Sequence, residues 1–194
     1  HLFLHPGAED LQTVYESVAQ RTLQAVLAAK ADLLAGYTAE RDMGTEGAGP
    51  ADTAVMRAID AGLFPGPRLR ISGNAVDSLG GHEDAIHFNP AQHVLSNADY
   101  ANNSDEIVAT IRQQHKDGST FVKMYETGPD SMVSAEHAEV AEHAGVAGDP
   151  QFWSFHTPYQ YSEAELRAGV QEAARLGMNV GVHAQGEPGT LYAA

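Results

Sequence analysis

Cysteine is absent from this sequence and lysine is scarce. With no cysteine among 194 residues, the chain has no disulfide frame, no thiolate metal site and no thiol nucleophile, and its redox compartment stays open. Only 3 of its 11 basic residues are lysines, against 26 acidic ones, for a formal charge of −15. Affinity for nucleic acid is built on clustered cations, so no nucleic-acid partner is expected. No uninterrupted apolar run approaches the roughly 18 residues that suggest a membrane span, so no membrane partner is expected either. No Gly-x-Ser-x-Gly element offers a serine nucleophile. An initiator Met is missing too: the chain opens on His1 and a short apolar run, and reads as a piece of something longer whose compartment is undetermined.

What is present has globular character, with 43% apolar and 19% charged residues in a length typical of one domain. Short β-like runs alternate with amphipathic helical stretches. Residues 1–4 read as the end of a strand, and a long helix is expected over 11–34, stopped by Gly36. A strand over 37–43 opens into the glycine-rich loop 44–50, followed by a helix over 52–61 and a third strand over 68–76. After a long connection rich in Gly, His and Asn come a helix over 104–115 and a fourth strand over 120–125. Residues 127–160 form a second long connection. Ser162 and Glu165 have capping-box spacing, opening a helix to Leu176, and residues 179–183 make a fifth strand. Such repetition of strand and helix implies a parallel sheet. A doubly wound sheet and an incomplete (β/α)8 barrel both fit, and the barrel is favoured because no dinucleotide-type glycine fingerprint follows the first strand. A full barrel takes about 250 residues, so the chain would supply strands 1–5.

Lys123 lies in Phe121-Val122-Lys123-Met124-Tyr125, a strand that a parallel sheet buries on both faces. Burial lowers a lysine pKa, and a neutral amine can take up carbon dioxide to form a carbamate whose two oxygens can bridge two metal ions. The plainer alternative is a lysine near the strand end that snorkels or pairs with an acid. His1 and His183 stand at the ends of the first and fifth strands. In a parallel barrel all strand C-termini share one face, where these side chains would make an N/O metal constellation.

These segments resemble the amidohydrolase superfamily. His1-Leu2 is similar to the tail of its His-x-His-Leu motif on strand 1. Leu33-Leu34-Ala35-Gly36-Tyr37-Thr38 with Arg41-Asp42-Met43-Gly44 resembles the segment entering strand 2, and Gly80-Gly81-His82-Glu83-Asp84 the GGHxD loop after strand 3. Residues 121–125 resemble the strand bearing the carboxylated lysine, and Val182-His183-Ala184-Gln185-Gly186 the "HAHG" segment of strand 5. The nearest branch holds prolidase-like and Xaa-Arg dipeptidases, imidazolonepropionase-like proteins and ochratoxin-degrading amidohydrolases.

The resemblance implies a binuclear metallohydrolase, usually with Zn2+, with Mn2+ or Co2+ as alternatives. Carbamylated Lys123 would bridge the ions, His1 would bind the more buried one and His183 the more exposed one. The ions would polarise the scissile carbonyl and activate a bridging water. His82 would contact the carbonyl oxygen or the substrate, and a strand-8 aspartate would serve as general base. The substrate class would be a small peptide-like or N-acyl amino acid molecule. The departures are definite. The first His of the pair would precede residue 1, strands 6–8 with their His and Asp would follow Ala194, and Gln185 stands where the branch often has His. Residues 1–194 would thus be an incomplete catalytic barrel, with 127–160 a loop or insertion after strand 4. The rival reading is a truncated, non-catalytic barrel whose open strand edge invites association, including homo-oligomers.

Two further patterns lie in that connection or just after it. His137 and His143 are six apart, about 240° around a helix and so on different faces, unlike an i, i+4 metal pair. Trp153, Phe155, Tyr159 and Tyr161 would form either a lid over the catalytic face or packing against the barrel top.

Overall fold

A computed structural model describes residues 1–7, 9–84, 89, 91–128, 159–186 and 188–194. His137, His143, Trp153, Phe155 and most of the 127–160 connection lie outside the described residues. The elements run α1 (Glu9–Tyr15), α2 (Val18–Leu34), β1 (Ala39–Asp42), α3 (Ala51–Asp60), β2 (Arg68–Ile71), β3 (Ala75–Asp77), β4 (Ala98–Tyr100), α4 (Ser104–Asp117), β5 (Val122–Tyr125), α5 (Glu163–Arg175), β6 (Val180–His183) and α6 (Gly189–Ala193). All named strand pairs are parallel: β1 with β2, and a second sheet in the order β4-β3-β5-β6. Ile71 joins the two sheets, its carbonyl accepting from Thr120 N at 2.8 Å and Phe121 N at 3.3 Å. The result is an α/β arrangement matching about the first five strands of a (β/α)8 barrel, with β4 added beside β3.

Several boundaries differ from the expected ones, each for a local reason. Residues 1–4 are not a strand: Leu2 N donates to the Asp42 carboxylate at 3.2 Å, and the Phe3 carbonyl accepts from the Arg21 guanidinium. Side chains thus replace the ladder. The expected helix over 11–34 is two helices, because Ser17 leaves helical geometry and its hydroxyl accepts from Gln20 N as an N-cap. The strand over 68–76 breaks at Gly73, whose φ of 71° belongs to the left-handed region. Three-residue β4 and five-residue α6 are too short for periodicity to reveal. The capping box at Ser162 and Glu165 is formed in both directions.

One face of the β3-β5-β6 sheet packs into the helical layer. Val76, Val122 and Met124 meet Ile107 and Ile111 of α4 and Leu166 and Ala173 of α5. Gly169 permits this approach, since a Cβ there would lie 3.0 Å from Met124 Sδ and 3.1 Å from Ile107 Cγ2. Tyr161 belongs to the same cluster and donates its hydroxyl to the Ala101 carbonyl at 2.8 Å, so it is core rather than lid. Tyr159 packs edge-on against Tyr192. A second cluster, with Phe3, Ala25, Val55 and Ile71, lies behind β1 and β2. No helix among the described residues is long and apolar enough to cross a membrane.

Asp52 pins the kink between β2 and β3. It is fully buried, and its oxygens accept from Gly73 N at 2.7 Å and Thr53 N at 2.8 Å. Burial outweighs those bonds and raises its pKa from 3.8 to about 7. The folded chain therefore holds a proton that the unfolded chain releases between those values, and stability falls as pH rises through that window. We expect urea midpoints to decline from about pH 4 to about pH 7 and Asp52→Asn to flatten the decline. An identical slope in the variant would contradict this assignment.

Candidate active site

The pairing of β5 with β6 sets Lys123 beside Gly181 and Tyr125 beside His183. Partners in a parallel register share a face, and side chains alternate along each strand. Lys123, Tyr125 and His183 therefore project to the side opposite Val122 and Met124, which is the barrel interior. Gly181 leaves room there for Met43, whose Cε lies 2.9 Å from where a Cβ would be. Deeper in, the Arg41 guanidinium lies 5.2 Å from the Phe121 ring centroid. Layers of side chains thus fill the interior, and the polar groups collect toward the strand ends.

Lys123 is 6% exposed, and its Nζ lies 4.0 Å from the centroid of the Tyr125 ring. Desolvation lowers its pKa, while Glu46, Glu83 and Asp77 pull the other way. Among the described residues no carboxylate comes within ion-pair distance of the amine. His82 stacks on Tyr125 with centroids 4.5 Å apart and planes at 11°, and meets His183 at 4.3 Å. His183 in turn lies 5.2 Å from the Tyr125 ring. Tyr125 is the common surface on which three of the four expected site residues meet.

His1 lies against the loop that follows β1. Its Nδ1 lies 2.9 Å from the Gly44 carbonyl and 3.1 Å from Glu46 Oε1. A carbonyl only accepts, so the proton sits on Nδ1 and, in the neutral ring, Nε2 carries the lone pair. Glu46 links the two halves, since its charge acts on both Lys123 and Tyr125.

The loop after β3 is organised by Asp77. Its carboxylate accepts from Glu83 N at 2.6 Å, from Ser78 N at 2.8 Å and from the Gln160 amide. Gly81 is required by this wrap, because a Cβ would fall 2.4 Å from Asp77 Oδ1. Burial still raises the Asp77 pKa to about 6. Gln160 completes the clamp by accepting from His82 N at 2.7 Å and donating to the Tyr125 carbonyl at 3.1 Å. Tyr125 hydrogen-bonds Glu83, and burial first, with the surrounding carboxylates, pushes its pKa far above the usual phenol range.

Asp77, Glu46, Tyr125, Glu83 and Gln160 were not expected from sequence. Tyr125 could have been found from strand alternation, being two residues beyond Lys123. Asp77 had only its place before the glycine pair as a signal, and Gln160 had none.

The donor set can be tested against a divalent ion. His1 presents a lone-pair nitrogen, His183 an imidazole, and Lys123 a desolvated amine. These fit part of an N/O shell. No group of three His, Asp or Glu side chains suited to a metal occurs among the described residues.

No protein-family model matches the chain. Ochratoxinase of Aspergillus niger is 27% identical over 173 residues, covering 81% of this chain and 31% of that one. The crystal structure of that ochratoxinase superposes with a TM-score of 0.72 at 22% identity, covering 98% of this chain and 42% of the other. A Xaa-Pro dipeptidase with methionine bound in its active site gives 0.69 at 26% identity, covering 90% of this chain and 39% of its own. An amidohydrolase structure gives 0.70 at 26%, covering 100% and 43%.

In sequence and fold the chain is similar to proteins of the amidohydrolase superfamily.

The chain spans about a third of the length of the curated relatives it matches. If Gln160 orients His82 as the geometry requires, Gln160→Ala will speed hydrogen exchange at the His82 amide by about five- to tenfold, the value of one net hydrogen bond. Unaltered exchange there would remove Gln160 from the clamp.

Proposed function

We propose that this chain carries part of the active site of a metal-dependent amidohydrolase that cleaves an amide or peptide-like C–N bond. Its substrate class would be a small dipeptide or N-acyl amino acid. The observation that carries this reading is the buried amine of Lys123, held without an ion-pair partner among the described residues and against the Tyr125 ring that His82 and His183 also contact. The similarity in sequence and fold to proteins named as an ochratoxinase and a Xaa-Pro dipeptidase supports it.

The chain's own residues have definite tasks in this reading. The desolvated Lys123 amine attacks carbon dioxide, forms an N–C bond and releases one proton, leaving an anionic carbamate. That anion, the His1 Nε2 and His183 would hold divalent cations, Zn2+ being the commonest choice. When bound, such ions supply Lewis acidity toward the scissile carbonyl and lower the pKa of a water. His82, fixed on the Tyr125 face by ring contact and by Gln160 through the backbone, is placed to contact the substrate carbonyl oxygen. Tyr125, kept protonated by its surroundings, remains a hydrogen-bond donor across the working pH range.

Lys123→Ala in the full-length protein should lower both bound zinc and hydrolysis of N-acyl amino acids. Loss of a mere supporting group commonly costs 10–100-fold, so the expected fall is at least about 100-fold. Normal zinc content together with a normal rate in the variant would sink the proposal.

A further inference from the structure

Arg21 and Glu46 carry no assigned role, yet both are unusual. Arg21 of α2 is 1% exposed, the largest fully buried side chain described. It spends its guanidinium on backbone carbonyls: Phe3 from Nε at 3.3 Å and Nη2 at 3.2 Å, Thr45 from Nη2 at 3.0 Å, and Glu46 from Nη1 at 2.5 Å. One side chain thereby ties the segment that follows His1 to the loop that follows β1. Glu46, 5% exposed, has a φ of 50° and is the one non-glycine in the left-handed region among the described residues. Strain held at one such position calls for a reason.

The surroundings supply one. Gly44, at φ 149°, has no space for a side chain, because a Cβ would meet Glu46 Oε1 at 2.9 Å and His1 Cε1 at 3.5 Å. The Glu46 carboxylate therefore fills the volume above Gly44 and lies against the His1 ring, 3.1 Å from Nδ1. Thr45 is locked as well, its hydroxyl donating to the Gly49 carbonyl and its amide to the Gly73 carbonyl. A loop free to relax would carry Glu46 to the ordinary right-handed or extended regions and withdraw its carboxylate from His1.

We propose that Arg21 and Glu46 are a positioning pair that fixes the direction in which His1 presents its Nε2. Arg21 holds the loop backbone in its strained path, and Glu46 grips the ring at Nδ1 together with the Gly44 carbonyl. Such outer contacts set the tautomer and orientation of a metal-binding histidine. The inference rests on the reading of His1 as a metal donor.

Three variants of the full chain separate the two ideas, with zinc alone as the probe in competition against a chromogenic chelator. Glu46→Gly removes the carboxylate and also the left-handed strain, so the melting temperature should hold or rise while zinc binds about 10- to 100-fold more weakly. Glu46→Gln, which keeps an acceptor oxygen in place, should recover most of the affinity. In the metal-free protein, imidazole 15N shifts of His1 should report one Nδ1-protonated tautomer, and a mixture in Glu46→Gly. His1→Ala gives the reference loss. Should Glu46→Gly bind zinc as the parent does while His1→Ala is weakened, the positioning role is overturned and the metal reading stands. Undiminished zinc affinity in His1→Ala would overturn both. Parallel loss of melting temperature and affinity in Glu46→Gly would leave only a structural role and overturn the proposal.

Discussion

A slip of one residue in the pairing of β5 with β6 would turn His183 out of the barrel interior and into the layer of α4 and α5. The observed register, Lys123 with Gly181 and Tyr125 with His183, is thus the constraint on which the site depends. It is enforced from the other face. Val122 and Met124 are buried against α4 and α5, and Gly169 lets α5 come close enough to hold them. Moving those apolar groups to the interior would expose the helical face and drive Lys123 into hydrocarbon. The apolar core therefore selects the face on which the chemistry-bearing groups meet.

Electrostatics then decide the state of those groups. Burial lowers the pKa of Lys123 even though Glu46, Glu83 and Asp77 raise it, so desolvation is the larger effect. A lysine in direct contact with one of those carboxylates would stay an ammonium and could not form a carbamate. Among the described residues the acids act on the amine from beyond ion-pair distance. Asp77 wraps the loop bearing His82, and Glu46 grips His1. The carboxylates around this buried amine are also a setting that favours divalent cations.

Much of this was legible in the sequence, and for physical reasons. The alternation of short β-like runs with helices gave the parallel architecture, since βαβ units leave strong periodic signals. Lys123, His82 and His183 stood out because each sits in a distinctive local segment, and the structure does bring these three together around Tyr125. What stayed hidden depends on contacts between distant segments. Arg21 looked like an ordinary helix arginine, yet it satisfies carbonyls 18 and 25 residues away along the chain. Gln160 reaches Asp77 across 83 residues. The segment at residues 1–4 read as a strand from its apolar character, whereas the Asp42 and Arg21 side chains take the place of its ladder. Side-chain substitution for backbone pairing has no periodic signature.

The central proposal is that the buried Lys123 amine, its pKa lowered by desolvation, becomes a carbamate. The most direct measurement is 13C NMR of the full-length protein incubated with zinc and 13C-labelled bicarbonate. The account predicts one carbamate resonance that survives dilution of the free label and disappears in Lys123→Arg. The absence of such a resonance in the parent protein, or its persistence in Lys123→Arg, would contradict the account.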